Sequence, residues 1–142
     1  MANTETSKKI NSKIHVREVT NGATASIAAS SGSFVPLIDP VDVTAYEKMT
    51  IQIRNADNTS TPKVRVYGSI FPVPGATPTA TTPLDSGWVQ IGDDIDIGAS
   101  SGALKSISTT TLKQICVVAR DQGSNTQTFP AGDCVVLAQG TL

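Results

Sequence analysis

An all-β fold, a single antiparallel β-sandwich or jelly roll, is predicted by three features of the sequence. Apolar and polar residues alternate with a period of two in several short runs, the signature of half-buried strands. Stretches rich in Gly, Pro, Asn, Asp, Ser and Thr separate those runs, and such residues build turns. No segment carries the apolar spacing of an amphipathic helix. Ser and Thr exceed a fifth of the chain, which also favours strands and turns. Short strands at spacings of roughly 8–12 residues lead to a sandwich. No fixed-period repeat is present.

The elements follow in order. Residues 1–13 (MANTETSKKINSK) are polar and without period, so they read as an N-terminal arm ahead of a sandwich domain spanning 14–142. Such an arm is ordered only when something ties it down. KIHVREVT (13–20) sets Ile14 and Val16 against His15 and Arg17 and reads as a strand. Asn21-Gly22 signals a turn, and with TASIAAS beyond it a hairpin is expected. SFVPLIDP (33–40) is broken by Pro36 and Pro40, so it suits an edge strand or an extended connection.

YEKMTIQIRN (46–55) sends Met49, Ile51 and Ile53 to one face and Lys48, Thr50, Gln52 and Arg54 to the other. ADNTSTP turns the chain. KVRVYGSIF (63–71) then opposes Val64, Val66, Gly68 and Ile70 to Arg65, Tyr67 and Ser69. These two strands are expected to build one wall of the sandwich. PVPGATPTATTPLDSG (72–87) has no period and is long for a turn, which suits a loop seated against a neighbour. WVQI and DIDI are short strands around Gly92 and Asp93. GASSGALKSISTTT (98–111) is a loop leading into a strand. LKQICVVARD (112–121) is the most apolar strand and is expected at the centre of a sheet. QGSNTQTFPAG (122–132) is a connection of hairpin type, and DCVVLAQGTL (133–142) is the last strand.

Composition excludes some functions. With 39% hydrophobic residues the chain can bury a core. A net charge of −1 argues against a general nucleic-acid or membrane-surface binder. No apolar run is long enough to cross a bilayer, and the polar start offers no signal-peptide core. Synthesis in the cytoplasm is therefore expected.

Chemistry-bearing residues are few. His15 is the sole histidine, and no GxSxG surrounds any serine, so nucleophilic catalysis has little to work with. Cys116 and Cys134 lie in apolar strands. Two buried small side chains, a disulfide between adjacent strands, or a reactive pair are all open readings. Asp93, Asp94 and Asp96 in GDDIDIG could offer oxygen ligands to Ca²⁺. Equally, Asp93 could sit in a turn, with Asp94 and Asp96 on the solvent face of a strand. Trp88, Tyr67 and Tyr46 could stack on a sugar, or plug a core. Lys8, Lys9, Lys13, Arg17 and Arg54 form no dense patch interleaved with aromatics. No phosphate-cradling glycine loop is present. No catalytic, cofactor or metal site is assigned, and no enzymatic activity is expected.

The polar start MANTETSKKINSK, the strands MTIQIRN and VRVYGSI, the linker PVPGATPTATTPLDSGW and the pair ICVVARD and CVVLAQGTL together resemble small virion proteins of tailed bacteriophages. The resemblance is to capsid decoration, or cement, proteins. It implies a jelly roll or sandwich, often trimeric, on the outer capsid surface where major capsid proteins meet. It implies shell stabilisation through many weak contacts, with no reaction. Residues 1–13 and 72–87 are then the expected contacts to the capsid protein and to neighbouring subunits. Two other roles compete. One is a tail, neck or fibre component. The other is a Ca²⁺-dependent carbohydrate-adhesion module using Trp88, Tyr67 and the Asp93, Asp94 and Asp96 cluster.

Overall fold

The computed structural model describes residues 3–9, 14–27, 33–72, 74–75, 87–121 and 126–141. They form an all-β sandwich, with no helix among them. The strands are β1 (Asn3–Lys9), β2 (Ile14–Asn21), β3 (Ala25–Ile27), β4 (Val35–Asp42), β5 (Lys48–Asn55) and β6 (Pro62–Ser69) on the outgoing half. The returning half holds β7 (Val89–Gln90), β8 (Ile95–Asp96), β9 (Ser101–Ser108), β10 (Gln114–Asp121), β11 (Gln127–Phe129) and β12 (Cys134–Thr141). A first sheet runs β1-β2-β12-β5-β9, and a second runs β4-β10-β6-β7 with β8 also on β6. The short pair β11-β3 completes the set.

The pairings are nested. Thr20 faces Val135, Ile27 faces Gln127, Asp42 faces Gln114, Lys48 faces Ser108, and Lys63 faces Asp96. As one partner's number rises, the other's falls by nearly the same amount. The chain is thus one long antiparallel ribbon, folded back on itself between Ser69 and Val89. The ribbon is rolled so that β12 also meets β5, and β10 also meets β6. That is jelly-roll topology.

Rolling is what the side-chain pattern requires. β5 alternates between buried and open positions along its length, with Met49, Ile51 and Ile53 turned into the core. Its ribbon partner β9 buries only Ile107 there, so the two strands alone cannot cover their apolar face. Cover comes from Leu37, Ile38, Val64, Val66, Ile115 and Val117 of the second sheet. Each such side chain, fully buried, contributes about 1.5–3 kcal/mol. β10 is buried on both faces, as its apolar run predicts, and lies between β4 and β6. β4 is a sheet edge, and its register with β10 shifts beside Pro36.

Four sequence expectations change. Asn21-Gly22 does not make a hairpin to the next strand, because β3 pairs with β11. Asn21 is fully buried and committed elsewhere. Its Nδ2 donates to the Pro130 carbonyl at 2.9 Å, and its Oδ1 accepts from the Gly132 and Cys134 amides at 3.0 and 2.9 Å. This side chain pins the end of β2 to the approach of β12.

Second, β5 and β6 do not share a wall; each belongs to a different sheet. The loop between them is an arch built on Asn55 and Asp57. Buried Asn55 donates to the carbonyls of Ser60 and Gly98, and its Oδ1 accepts from the Asp57 amide and from Gln127 Nε2. Asp57 Oδ1 accepts from the amides of Thr59 and Ser60. These local bonds replace the ladder bonds of a hairpin. Third, the connection 122–132 carries β11 and crosses from the second sheet to the first; residues 122–125 lie outside the described set.

Fourth, residues 3–9 of the stretch read as an arm form β1, paired from Asn3↔Asn21 to Lys9↔His15. Neither face of an edge strand has to be apolar, so periodicity gave no sign of it. Glu5 pairs with Arg17, and Asn3 exchanges two hydrogen bonds with the Asp39 backbone. Residues 1, 2 and 10–13 lie outside the described set.

Two substitutions test this packing. Leu37→Ala, at a side chain with no exposure, should cost about 2–5 kcal/mol in urea unfolding. Gly140→Ala should also destabilise, by about 1–3 kcal/mol, because a Cβ there would sit 2.4 Å from the Ala45 carbonyl oxygen. Unchanged urea midpoints would contradict the close approach of β12 to residues 45–46.

Candidate functional site

The two sheets differ on their outer faces. The second sheet's outer face is filled by Phe34, Tyr67, Trp88, Cys116 and Val118, a cluster separate from the main core. The Trp88 indole N–H donates to the Gly75 carbonyl at 2.9 Å, drawing the segment after β6 over the cluster. The Arg65 guanidinium lies 4.4 Å from the Phe34 ring centroid, and Arg120 lies 5.6 Å from the same ring. Both distances suit cation–π attraction.

Arg65 in turn holds Asp94. Its Nε and Nη2 donate to the two carboxylate oxygens at 2.7 and 2.9 Å, a bidentate pair. Its Nη1 donates to the Tyr67 hydroxyl, and Gln90 Nε2 donates to Asp94 Oδ1. Lys63 lies 3.8 Å from Asp94 and 3.7 Å from Asp96. Hydrogen bonding from Arg65 is the main reason the Asp94 carboxyl is held below its ordinary value of 3.8.

This geometry decides several candidate residues. Trp88 and Tyr67 are 2% and 1% exposed, so neither ring offers a face to a sugar. They plug the outer cluster, and a stacking platform on them is ruled out. Tyr46 is half-buried and packs against the main core. Asp93, Asp94 and Asp96 do not converge: Asp94 serves Arg65, Asp96 leans to Lys63, and Asp93 is exposed. Among the described residues no three His, Cys, Asp or Glu side chains group as metal ligands.

Cys116 belongs to the outer cluster and Cys134 to the main core, and both thiols are free. The interstrand disulfide therefore drops out. Burial pushes each thiol up to about 12, which leaves no useful thiolate near neutral pH. The His15 backbone lies on β2 between Lys9 and Gly140, and its side chain lies outside the described set. Lys8 and Lys9 sit on β1, at one edge of the first sheet. Arg54 sits on β5, beside the opposite edge, and Arg17 bonds to the Asp42 carbonyl and Glu5. Lys13 lies outside the described set. The fold does not gather these basic residues.

What remains open to a partner is surface. Large exposed apolar side chains among the described residues fall in two places. Ile70, Phe71 and Val89, 64%, 55% and 71% exposed, flank the fold-back of the ribbon. The alternation that placed Ile70 inward ends at Ser69, whose Oγ accepts the Phe71 amide and turns the chain out. Residues 73 and 76–86 of the expected contact loop lie outside the described set. The second place is the bare outer face of the first sheet. One row across it reads Thr20, Val135, Gln52, Leu104, and the next reads Glu18, Leu137, Thr50, Ser106. Leu104 is 68% exposed and Leu137 39%. An open groove of about 630 Å³ runs beside Gln52, Arg54, Ser101 and Leu104.

The outer cluster escaped the sequence reading, although its signal was there. Tyr67 sits at a solvent-facing position of an alternating strand, and ICVVA is apolar without alternation. Both features mean that a strand is covered on two faces.

No family model matches the chain, and no curated protein matches it. Among solved structures it is similar to the SPBc2 prophage-derived protein YomS, with 9% identity and a TM-score of 0.42 over 99% of this chain and 96% of that one. It is also similar to a chain of infectious bursal disease virus, Gx strain, with 12% identity and a TM-score of 0.46 over 88% of this chain and 33% of that one. A third is a carbohydrate-binding module of the β-sandwich superfamily, with 10% identity and a TM-score of 0.37 over 99% of this chain and 53% of that one. At these scores none of the three assigns a function.

The Arg65–Asp94 pair predicts a pH response. A carboxyl held low in the folded state contributes stability that is present above the unfolded value and lost as pH falls through the folded one. Stability should therefore be level near neutral pH and fall below about pH 4. Asp94→Asn should lower stability at pH 7 by about 1 kcal/mol and remove part of the acid slope. Urea titrations from neutral to acid pH check both; a parallel slope in the variant would contradict the assignment.

Proposed function

We propose that this protein is a non-enzymatic structural virion protein of the capsid decoration type. It binds the outer capsid lattice as a homo-oligomer and stabilises the shell against internal pressure. One observation carries the reading: among the described residues Asp94, the two cysteines, Tyr67 and Trp88 are spent inside the fold, while large apolar side chains stand out at the ribbon's fold-back. Asp94, Cys116, Cys134, Tyr67 and Trp88 are buried or paired; Ile70, Phe71 and Val89 are exposed. Monomeric soluble proteins rarely present contiguous apolar surface without a partner.

On this reading the partner is the major capsid protein, approached through the fold-back and the segment 72–87. Many weak contacts, multiplied by lattice symmetry, give tight seating without any strong single contact. Nucleic acid and membrane play no part.

The experiment adds purified protein to expanded capsids assembled without it and images the particles. Stoichiometric density at symmetry axes, with a raised shell melting temperature, is expected. Phe71→Ser with Ile70→Ser should reduce occupancy at least about tenfold, since each buried apolar anchor is worth over 1 kcal/mol. Absence of binding to any capsid surface, or retention on tails alone, would overturn the decoration role. Ca²⁺-dependent glycan binding would replace it with adhesion.

A further inference from the structure

Among the described residues four strand edges border the two sheets, and the two of the second sheet are blunted. β4 carries Pro36 and Pro40 and sits opposite shifts in register. The opposite side of the second sheet ends in β7 and β8, of two residues each. β1 brings Lys8 and Lys9 to the first sheet's edge. Short strands, prolines, irregular register and lysines are the usual means of stopping edge-to-edge pairing.

β9 differs from these. It is eight residues long, SGALKSIS, and pairs without interruption from Lys48↔Ser108 to Asn55↔Ser101. It contains no proline and one charge, Lys105. One side bonds to β5; among the described residues no strand pairs with the other, which presents a row of backbone donors and acceptors. Leu104 stands on its outer face beside the open groove.

We propose that β9 docks a second copy of this chain, strand to strand and antiparallel, about a two-fold axis at Leu104. The occupant follows from the side chains. Antiparallel pairing puts directly opposed residues on the same face. Centring on Leu104 sets that exposed leucine against its own copy. Gly102 then faces the partner's Ser106, and Ala103 faces the partner's Lys105. Centring on Lys105 would place two lysines opposite each other, which is repulsive. The single charge thus excludes the adjacent register, and the exposed leucine favours its own. Pairing of this kind joins two first sheets into one continuous sheet, and an isologous two-fold contact is the commonest form of self-association. A contact through one strand edge is small against standard interfaces, so weak association is expected. This inference stands independently of the capsid role. It also differs from the trimer that the family resemblance implies.

Cross-linking tests it. Directly opposed residues in antiparallel strands have Cα atoms about 4.5–5.5 Å apart, within reach of a disulfide. Leu104 is exposed, so Leu104→Cys should fold, and the native thiols are buried and stay silent. Mild oxidation of the full chain should convert Leu104→Cys to a covalent dimer at least about tenfold faster than Val89→Cys, which is as exposed but lies on the short β7 of the second sheet. Lys105→Cys should lag likewise, because it faces Ala103. Sedimentation equilibrium of the unmodified protein up to about 1 mM should fit monomer and dimer, and Leu104→Lys should be monomeric. A monomer throughout, a trimer, or equal rates for the three cysteine variants would overturn the proposal.

Discussion

The rest of the structure depends on one constraint: the outgoing and returning halves of the chain pair as a single antiparallel ribbon. A two-strand ribbon of alternating side chains puts its apolar groups on one face and cannot cover that face by itself. This one closes by rolling, so that β5 meets β12 and β6 meets β10. Met49, Ile51 and Ile53 then face Val64, Val66 and Val117 across a shared core. Because the pairs are nested, contacts distant in sequence form as a set, and β2, β4, β5 and β6 each meet a counterpart on the other half.

Rolling needs corners, and side-chain amides make them. Asn21 and Asn55, both buried, bond to backbone at the points where the ribbon leaves one sheet for the other. Gln127 links β11 to Asn55, so the two halves of the ribbon are fastened together at this bend. Buried amides are expensive unless paired, which makes them specific as well as stabilising. The second sheet then gains an outer layer, in which Arg65 spans Phe34, Tyr67 and Asp94. Among the described residues none forms such a layer on the first sheet, and the large exposed apolar groups lie on that sheet's outer face and at the fold-back.

Much of the fold was legible from alternation. β5 and β6 stand where the apolar period placed them, β10 and β12 where apolar runs did, and Pro36 with Pro40 marked an edge. Pairing partners were less legible, because a turn signal such as Asn21-Gly22 says that the chain bends but not whom the next strand meets. β1 was hidden because Thr4, Glu5, Thr6 and Ser7 offer no apolar period, and its order comes from pairing with β2 and from Asn3 and Glu5. The candidate residues divided in the same way. Composition identified Trp88, Tyr67, the aspartates and the cysteines as the groups able to act. Only their neighbours, Arg65 and Gly75 above all, reveal that Asp94 is neutralised and Trp88 is covered.

The central claim is that function resides in exposed surface at the fold-back, while the chemically capable groups serve the fold. Hydroxyl-radical footprinting of the protein, free and seated on capsids, tests this most directly. Labelling at Ile70, Phe71 and Val89 should be lost on seating, with Trp88 and Tyr67 weakly labelled in both states. Full labelling of the fold-back in the seated protein, with new protection confined to Asp93 and Asp96, would contradict it.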